Sequence, residues 1–285
     1  MQLNVLKDLK RIYSGLNPDE IRGLASRNVQ VGLVASSDEM YRRMETFLAP
    51  SGSDLHALRA ISNVGPAVTG DVAGRYDFLL CEPGVPVPRN GYLFESGDSD
   101  SLAKLILNEH SKLELALART FPLFRAAASS RIIHHFSQEN ALFALVTALP
   151  NVVPSVIDVP WAVGEFATDT AFLTMNQIRM ALQLAAAHGQ PVGYSEQKMQ
   201  LAAIIGGAFG WRAVARELVG KIPLGGGLIP KASIAFAGTY VVGLGLEKLN
   251  RTGAGMSRKQ GREAYQLAYQ HGKKLATELA KDRLG

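Results

Sequence analysis

The chain has a single cysteine, Cys81, among its 285 residues. One thiol excludes an intramolecular disulfide and a four-cysteine zinc site, and it suits a reducing compartment. Charge is also sparse, with Asp, Glu, Lys and Arg making up 19% of the sequence against 47% apolar residues. A chain of this length buries a core without covalent staples, so that balance implies a large core or a membrane-facing segment. Long apolar runs are missing. Between Ala141 and Glu247 six basic and six acidic residues interrupt the sequence, and no stretch reaches the roughly 18 to 20 apolar residues of a confident spanning helix. The opening MQLNVLKDLKRIYSGL lacks the apolar core of a secretory signal and reads as a short amphipathic helix.

The charge that is present is unevenly placed. The net charge is +5, yet Lys248 to Gly285 holds nine basic and three acidic residues, a net of +6. Such a tail suits an anionic membrane surface or nucleic acid, and a solvated basic helix is the plain alternative. It carries Tyr265 and Tyr269 but no recognised nucleic-acid motif, which ranks nucleic acid last.

In the first half, VQVGLVA (29–35) reads as a buried strand, and SSDEMYRRMETFL continues it as a helix capped by Ser37 or Asp38, with Met40, Met44 and Leu48 at helical spacing. YDFLLC (76–81) is a second strand, closed by Glu82-Pro83-Gly84, and Tyr92-Leu93-Phe94 a third. A capped helix opens at Asp98. Strands alternating with helices predict a small, mostly parallel sheet.

The order of these pieces resembles the opening of a small GTPase-like domain. In that family the first strand enters a glycine-rich loop ending Gly-Lys-Ser/Thr, whose amides and lysine hold phosphates. Here the corresponding loop, 35–42, reads ASSDEMYR: Ala35 and Met40 stand for the glycines, Tyr41 for the lysine and Arg42 for the metal-binding hydroxyl. The family's Asp-x-x-Gly motif falls on Cys81-Glu82-Pro83-Gly84, and no Asn-Lys-x-Asp motif follows. The expectation is a degenerate P-loop NTPase-like domain, or an α/β domain with a short first βα turn. Both exclude efficient phosphoryl transfer, so no catalytic residue, cofactor or metal ligand is assigned.

The second half is helical. Leu113 to Ser129 is broken at Pro122, and a further run follows to Leu149. His134 and His135 are adjacent and face different sides of a helix, so they do not share a metal in the i, i+4 manner. A long run, Ala162 to Ala187, spans about 39 Å as one helix. Glu165, Asp169, Asn176, Arg179 and Gln183 form a narrow polar stripe along it, interrupted by Phe172, while Met175, Ile178 and Leu182 line another face. Glu165 and Asp169 have the spacing to share a cation, but a solvent-facing stripe or an ion pair to Arg179 is the favoured reading.

His188-Gly189 closes that helix in a left-handed cap, and Ser195 caps the next. Gly206 and Gly210 form a small-xxx-small step, PLGGGLIP (223–230) is a glycine-rich turn, and Ala235, Thr239 and Gly243 recur at intervals of four. Small residues at that spacing let helices approach closely, which predicts a glycine-hinged helical hairpin. Trp211 suits a membrane interface or a helical core, and Arg212 and Arg216 lie one turn apart beside Glu217.

The segments ALPNVVPSVIDVPW, LTMNQIRMALQLAAAHGQPVGY and AAIIGGAFGWRAVARELVGKIPLGGGLIPKASIAFAGTYVVG, about 110 residues together, carry a second resemblance. They are similar to the helical domain of unknown function (family 697) of YcjF-type bacterial inner-membrane proteins, also found behind the nucleotide domain of some Era-like GTPases. The resemblance implies association with membranes and GTPase partners and carries over no activity.

The expected organisation is therefore N-terminal amphipathic helices over 1–28, an α/β GTPase-like domain without a working phosphate loop over 29–111, an all-α domain over 112–250 and a basic helix over 251–285. The expected function is that of a non-catalytic interaction or scaffold protein. It would lie on the cytoplasmic side of a membrane, peripheral or shallowly inserted, with a GTPase or other protein, an anionic surface or a second copy as partner. Trp211, Arg212, Arg216, Lys231, Lys273 and Lys274 are the expected contact residues. The alternatives are an unconventional nucleotide hydrolase and an integral inner-membrane protein.

Overall fold

The structure, a computed structural model, describes residues 17–66, 70–95, 97–148, 169–204 and 227–284. It divides into two compact units. One holds Asp19–Ser130 with Ala185–Pro191, and the other the described parts of Met1–Pro18, Arg131–Leu184 and Val192–Gly285.

The first unit opens with α1 (Pro18–Ala25) and β1 (Val31–Val34), followed by α2 (Asp38–Leu48), α3 (Leu55–Arg59), β2 (Ile61–Asn63), α4 (Gly70–Ala73), β3 (Phe78–Cys81), β4 (Gly91–Leu93), α5 (Ser99–Glu109) and α6 (Glu114–Thr120). The sheet order is β2-β1-β3-β4, with every neighbouring pair parallel. Both VGLV and FLLC are buried along their whole length. That is the continuous apolar pattern of central parallel strands, covered on both faces. A Cβ on Gly32 would collide with the side chain of Leu79 and lie 2.9 Å from Val64 Cγ2, so β1 has no room for any larger residue there. Phe78 anchors the aromatic core, its ring 5.9 Å from Tyr92 and 6.2 Å from Phe124.

Ser37 caps α2, its hydroxyl accepting from Met40 N at 3.2 Å, and Met44 and Leu48 turn inward. Asp98 caps α5 in the same way through Ser101 N. The β2 strand was not foreseen in the sequence. Pro122 interrupts the helical run as expected: α6 stops at Thr120, a 3₁₀ turn covers Pro122–Phe124, and α7 (Arg125–Val146) resumes the helix.

The second unit holds α7 from Arg131 onward, α8 (Asp169–Ala187) as far as Leu184, a helical stretch at 198–204, α9 (Leu228–Thr252) and α10 (Arg258–Leu284). The stretch at 198 starts after a turn in which Gln197 Oε1 accepts from Gly193 N at 2.8 Å, which puts the exposed Ser195 outside the helix. Gly253, at φ +72°, ends α9 and turns the chain into α10. The two form an antiparallel pair: Ala232 and Phe236 pack on Ala276, and Ala237 packs on Tyr265 and Ala268. This hairpin follows the expected one, whose glycine-rich turn lies mostly outside the described residues. Small residues serve close packing as the spacing predicts. A Cβ on Gly243 would lie 2.8 Å from both Cγ atoms of Ile133 on α7 and 3.0 Å from Met180 Sδ on α8, and one on Gly272 would lie 2.9 Å from Phe236 Cβ.

Candidate functional site

In the first unit the strand order reverses at β1, so the crevice beyond the carboxyl ends of β1 and β3 is where an open α/β sheet ordinarily binds ligands. The chain places its own carboxylate at that mouth. Ser36 N and Ser36 Oγ both donate to Glu82 Oε2, at 2.6 and 2.7 Å. These hydrogen bonds from Ser36 hold the Glu82 carboxyl below the usual carboxylate range. An incoming phosphate would have to displace that anion or sit against it. Tyr41 donates its hydroxyl to Glu45 Oε1 at 2.9 Å, and burial followed by the Glu45 carboxylate pushes its phenol up to about 12. Burial pushes the Cys81 thiol up to about 11, which keeps it protonated and unreactive near neutral pH.

In the second unit, the described part of the polar stripe on α8 meets other helices. Asn176 is fully buried; its Nδ2 donates to Asn140 Oδ1 at 2.9 Å and to Glu139 Oε2 at 3.1 Å. Asn140 donates in turn to Thr239 Oγ1 on α9 at 2.7 Å. These bonds tie α7, α8 and α9 together by polar groups in an apolar interior, where fully paired networks specify one arrangement. Within this network Asn176 Oδ1 has no partner among the described residues. Arg179, half-buried, lies with its guanidinium 5.9 Å from the Phe136 ring centroid. Gln183 is half-buried. Asp169 begins the described part of α8, its side chain and all of Glu165 lying outside the described residues. The stripe therefore does not face solvent at Asn176. Sequence reading missed Asn140, which stands out only as a polar residue inside the apolar end of α7.

The expected contact residues separate into three groups. Trp211, Arg212 and Arg216 lie outside the described residues. Lys231 is half-buried and donates to Thr147 Oγ1 at 3.2 Å, so it serves the α7–α9 packing. Lys273 and Lys274 are exposed on α10. Arg258, Lys259, Arg262 and Lys281 are exposed on the same helix, which carries seven basic and three acidic residues. Successive steps of 100° set Tyr265, Ala268, Gly272 and Ala276 on the face toward α9 and put Lys259, Lys273, Lys274 and Lys281 on the side away from it, with Glu263 among them. The result is a cationic side supported from behind by a packed hairpin.

No family model matches the chain, and no curated protein or solved structure matches it either.

Proposed function

We propose that the protein is a non-catalytic interaction protein that docks on the anionic, cytoplasmic face of a membrane through α10. The observation that carries this reading is the exposed cationic side of that helix, held in a fixed orientation by its buried face. Lysines and arginines close to an anionic surface each add about 1 kcal/mol of attraction, and a preformed helix presents them together. The resemblance of the helical half to membrane-associated domains with GTPase partners supports the same reading. The mouth between β1 and β3 fits a non-catalytic role, since the Glu82 carboxylate there takes the Ser36 donors that a nucleotide phosphate would need.

The test is flotation of the purified protein with vesicles containing phosphatidylserine, against vesicles of phosphatidylcholine alone. Binding to the anionic vesicles only, weakened roughly thirtyfold by K273A/K274A, is the expected result. A protein indifferent to both vesicle types refutes the reading. Calorimetry with GTP or ATP and magnesium addresses the hydrolase alternative, which requires binding at the Ser36–Glu82 mouth.

A second reading has its own observation. Among the described residues α9 is one helix long and apolar enough to cross a membrane by length and composition, with mean hydropathy 1.3. Against a lipid-facing role, 44% of that apolar window is buried inside the protein, and α9 bears the Thr239 hydrogen bond and the Gly243 contact.

A further inference from the structure

The first unit contains an open cavity of about 630 Å³, within the ~300–1,000 Å³ range of small-molecule sites. The turn between α2 and α3 forms one wall, with Ser51, Gly52 and Ser53; the end of α6 and the start of α7 form another, with Arg119, Thr120 and Arg125; the His188-Gly189 cap of α8 contributes a third. Because α2 runs back from the carboxyl end of β1, this cavity lies at the amino edge of the sheet. It is therefore distinct from the mouth where Glu82 lies.

Its charges are not balanced from within. The Arg119 side chain makes no hydrogen bond or ion pair with any described residue. Arg125 donates its Nε to Ala118 O at 3.2 Å, and its two Nη groups have no partner among the described residues. The one carboxylate in the lining, Asp54, caps α3 by accepting from His56 N at 3.3 Å and pairs with neither arginine. Burial lowers the Arg125 pKa, so its positive charge is held partly out of water with nothing opposite it. Gly189 leaves the space beside it clear: a Cβ there would stand 3.8 Å from Arg125 Nη2, on a backbone at φ +75°. Hydroxyls of Ser51 and Thr120 complete a wall rich in donors.

We propose that this cavity binds a small polar molecule through a phosphomonoester, held between Arg119 and Arg125 with the surrounding hydroxyls. Guanidinium groups meet phosphate oxygens in paired, charge-assisted hydrogen bonds, and a phosphomonoester has acceptors enough for both arginines and the hydroxyls. The volume leaves room for a sugar-sized body behind the anion. The site is separate from α10 and does not depend on the membrane reading.

Titration calorimetry and thermal melting with inorganic phosphate, ribose 5-phosphate and ribose test it. Ribose 5-phosphate and phosphate bind and raise the melting temperature, while ribose does neither. R119Q and R125Q each weaken ribose 5-phosphate binding at least tenfold, and K273E/K274E leaves it unchanged. Because the Arg119 side chain bonds to no described residue, R119Q retains the fold by circular dichroism even if R125Q does not. The proposal is overturned if ribose 5-phosphate gives no heat and no melting shift at about 10 mM, if ribose matches it, or if folded R119Q binds like the unaltered protein.

Discussion

Gly243 lets α9 come within reach of Ile133 and Met180 because it presents no side chain. Met180 is flexible at its sulfur, but Ile133 is branched at Cβ and its Cγ atoms cannot swing away without a change of rotamer. Gly243→Ala is therefore expected to destabilise the unit by about 1–3 kcal/mol through overpacking, despite alanine's better helix propensity; urea denaturation measures it. An unchanged or raised midpoint contradicts the close approach. His134 is sensitive in a different way. Its ring lies 5.8 Å from Phe236 and 5.6 Å from His271, and burial, with a smaller contribution from His271, lowers its pKa below the ordinary 6.5. The unfolded chain therefore takes up this proton at a higher pH than the folded one does. Stability from this group is complete above pH 6.5 and falls as pH drops through the interval between 6.5 and the lower folded value. His134→Phe is expected to flatten that acid limb, as read from urea midpoints between about pH 5 and 7.

The α10 helix turns from a run of charges into a structural element only through its partner. Its residues facing α9 are Tyr265, Ala268, Gly272 and Ala276, of which Ala276 is fully buried. Ala276→Glu puts a carboxylate into the apolar cluster with Phe236 and Ala141, a change that costs several kcal/mol when the charge stays buried. The expected outcome is release of α10, seen as faster proteolysis near Gly253–Ser257 and lower helicity. The basic composition of this helix was legible in the sequence; that it packs on α9 was not, since the pairing depends on residues 28 to 44 positions apart. The strands fared similarly. VGLV and FLLC are buried on both faces and declare themselves as apolar runs, whereas Ile61-Ser62-Asn63 has three residues of falling burial and takes its strand identity from the edge of β1. The Ser37 cap was readable because capping is local. The Asn140–Thr239 bond was not, because its partners are joined only by the fold, and the same holds for Arg119 and Arg125 around their cavity.

Over the whole molecule the net charge of +5 is smaller than the +6 carried from Lys248 onward, so the rest of the chain is close to neutral. On the proposed reading, attraction to an anionic surface is concentrated at α10 and the end of α9, and it is screened by salt over about 8–10 Å. An integral anchor behaves differently, because apolar burial in lipid does not weaken as ionic strength rises. The α9 helix has the length for such an anchor, but it spends its Gly243 and Thr239 positions on α7 and α8. Crossing a bilayer as a lone helix would replace those contacts with lipid and leave Asn140 and Asn176 to find other partners. Membranes from cells expressing the protein are therefore expected to release it into a wash at about 1 M salt, where the Debye length is ~3 Å, and into alkaline carbonate. K273A/K274A should lower the salt needed for release. Retention through both washes, with extraction only by detergent, would favour the spanning role of α9 over the peripheral role of α10.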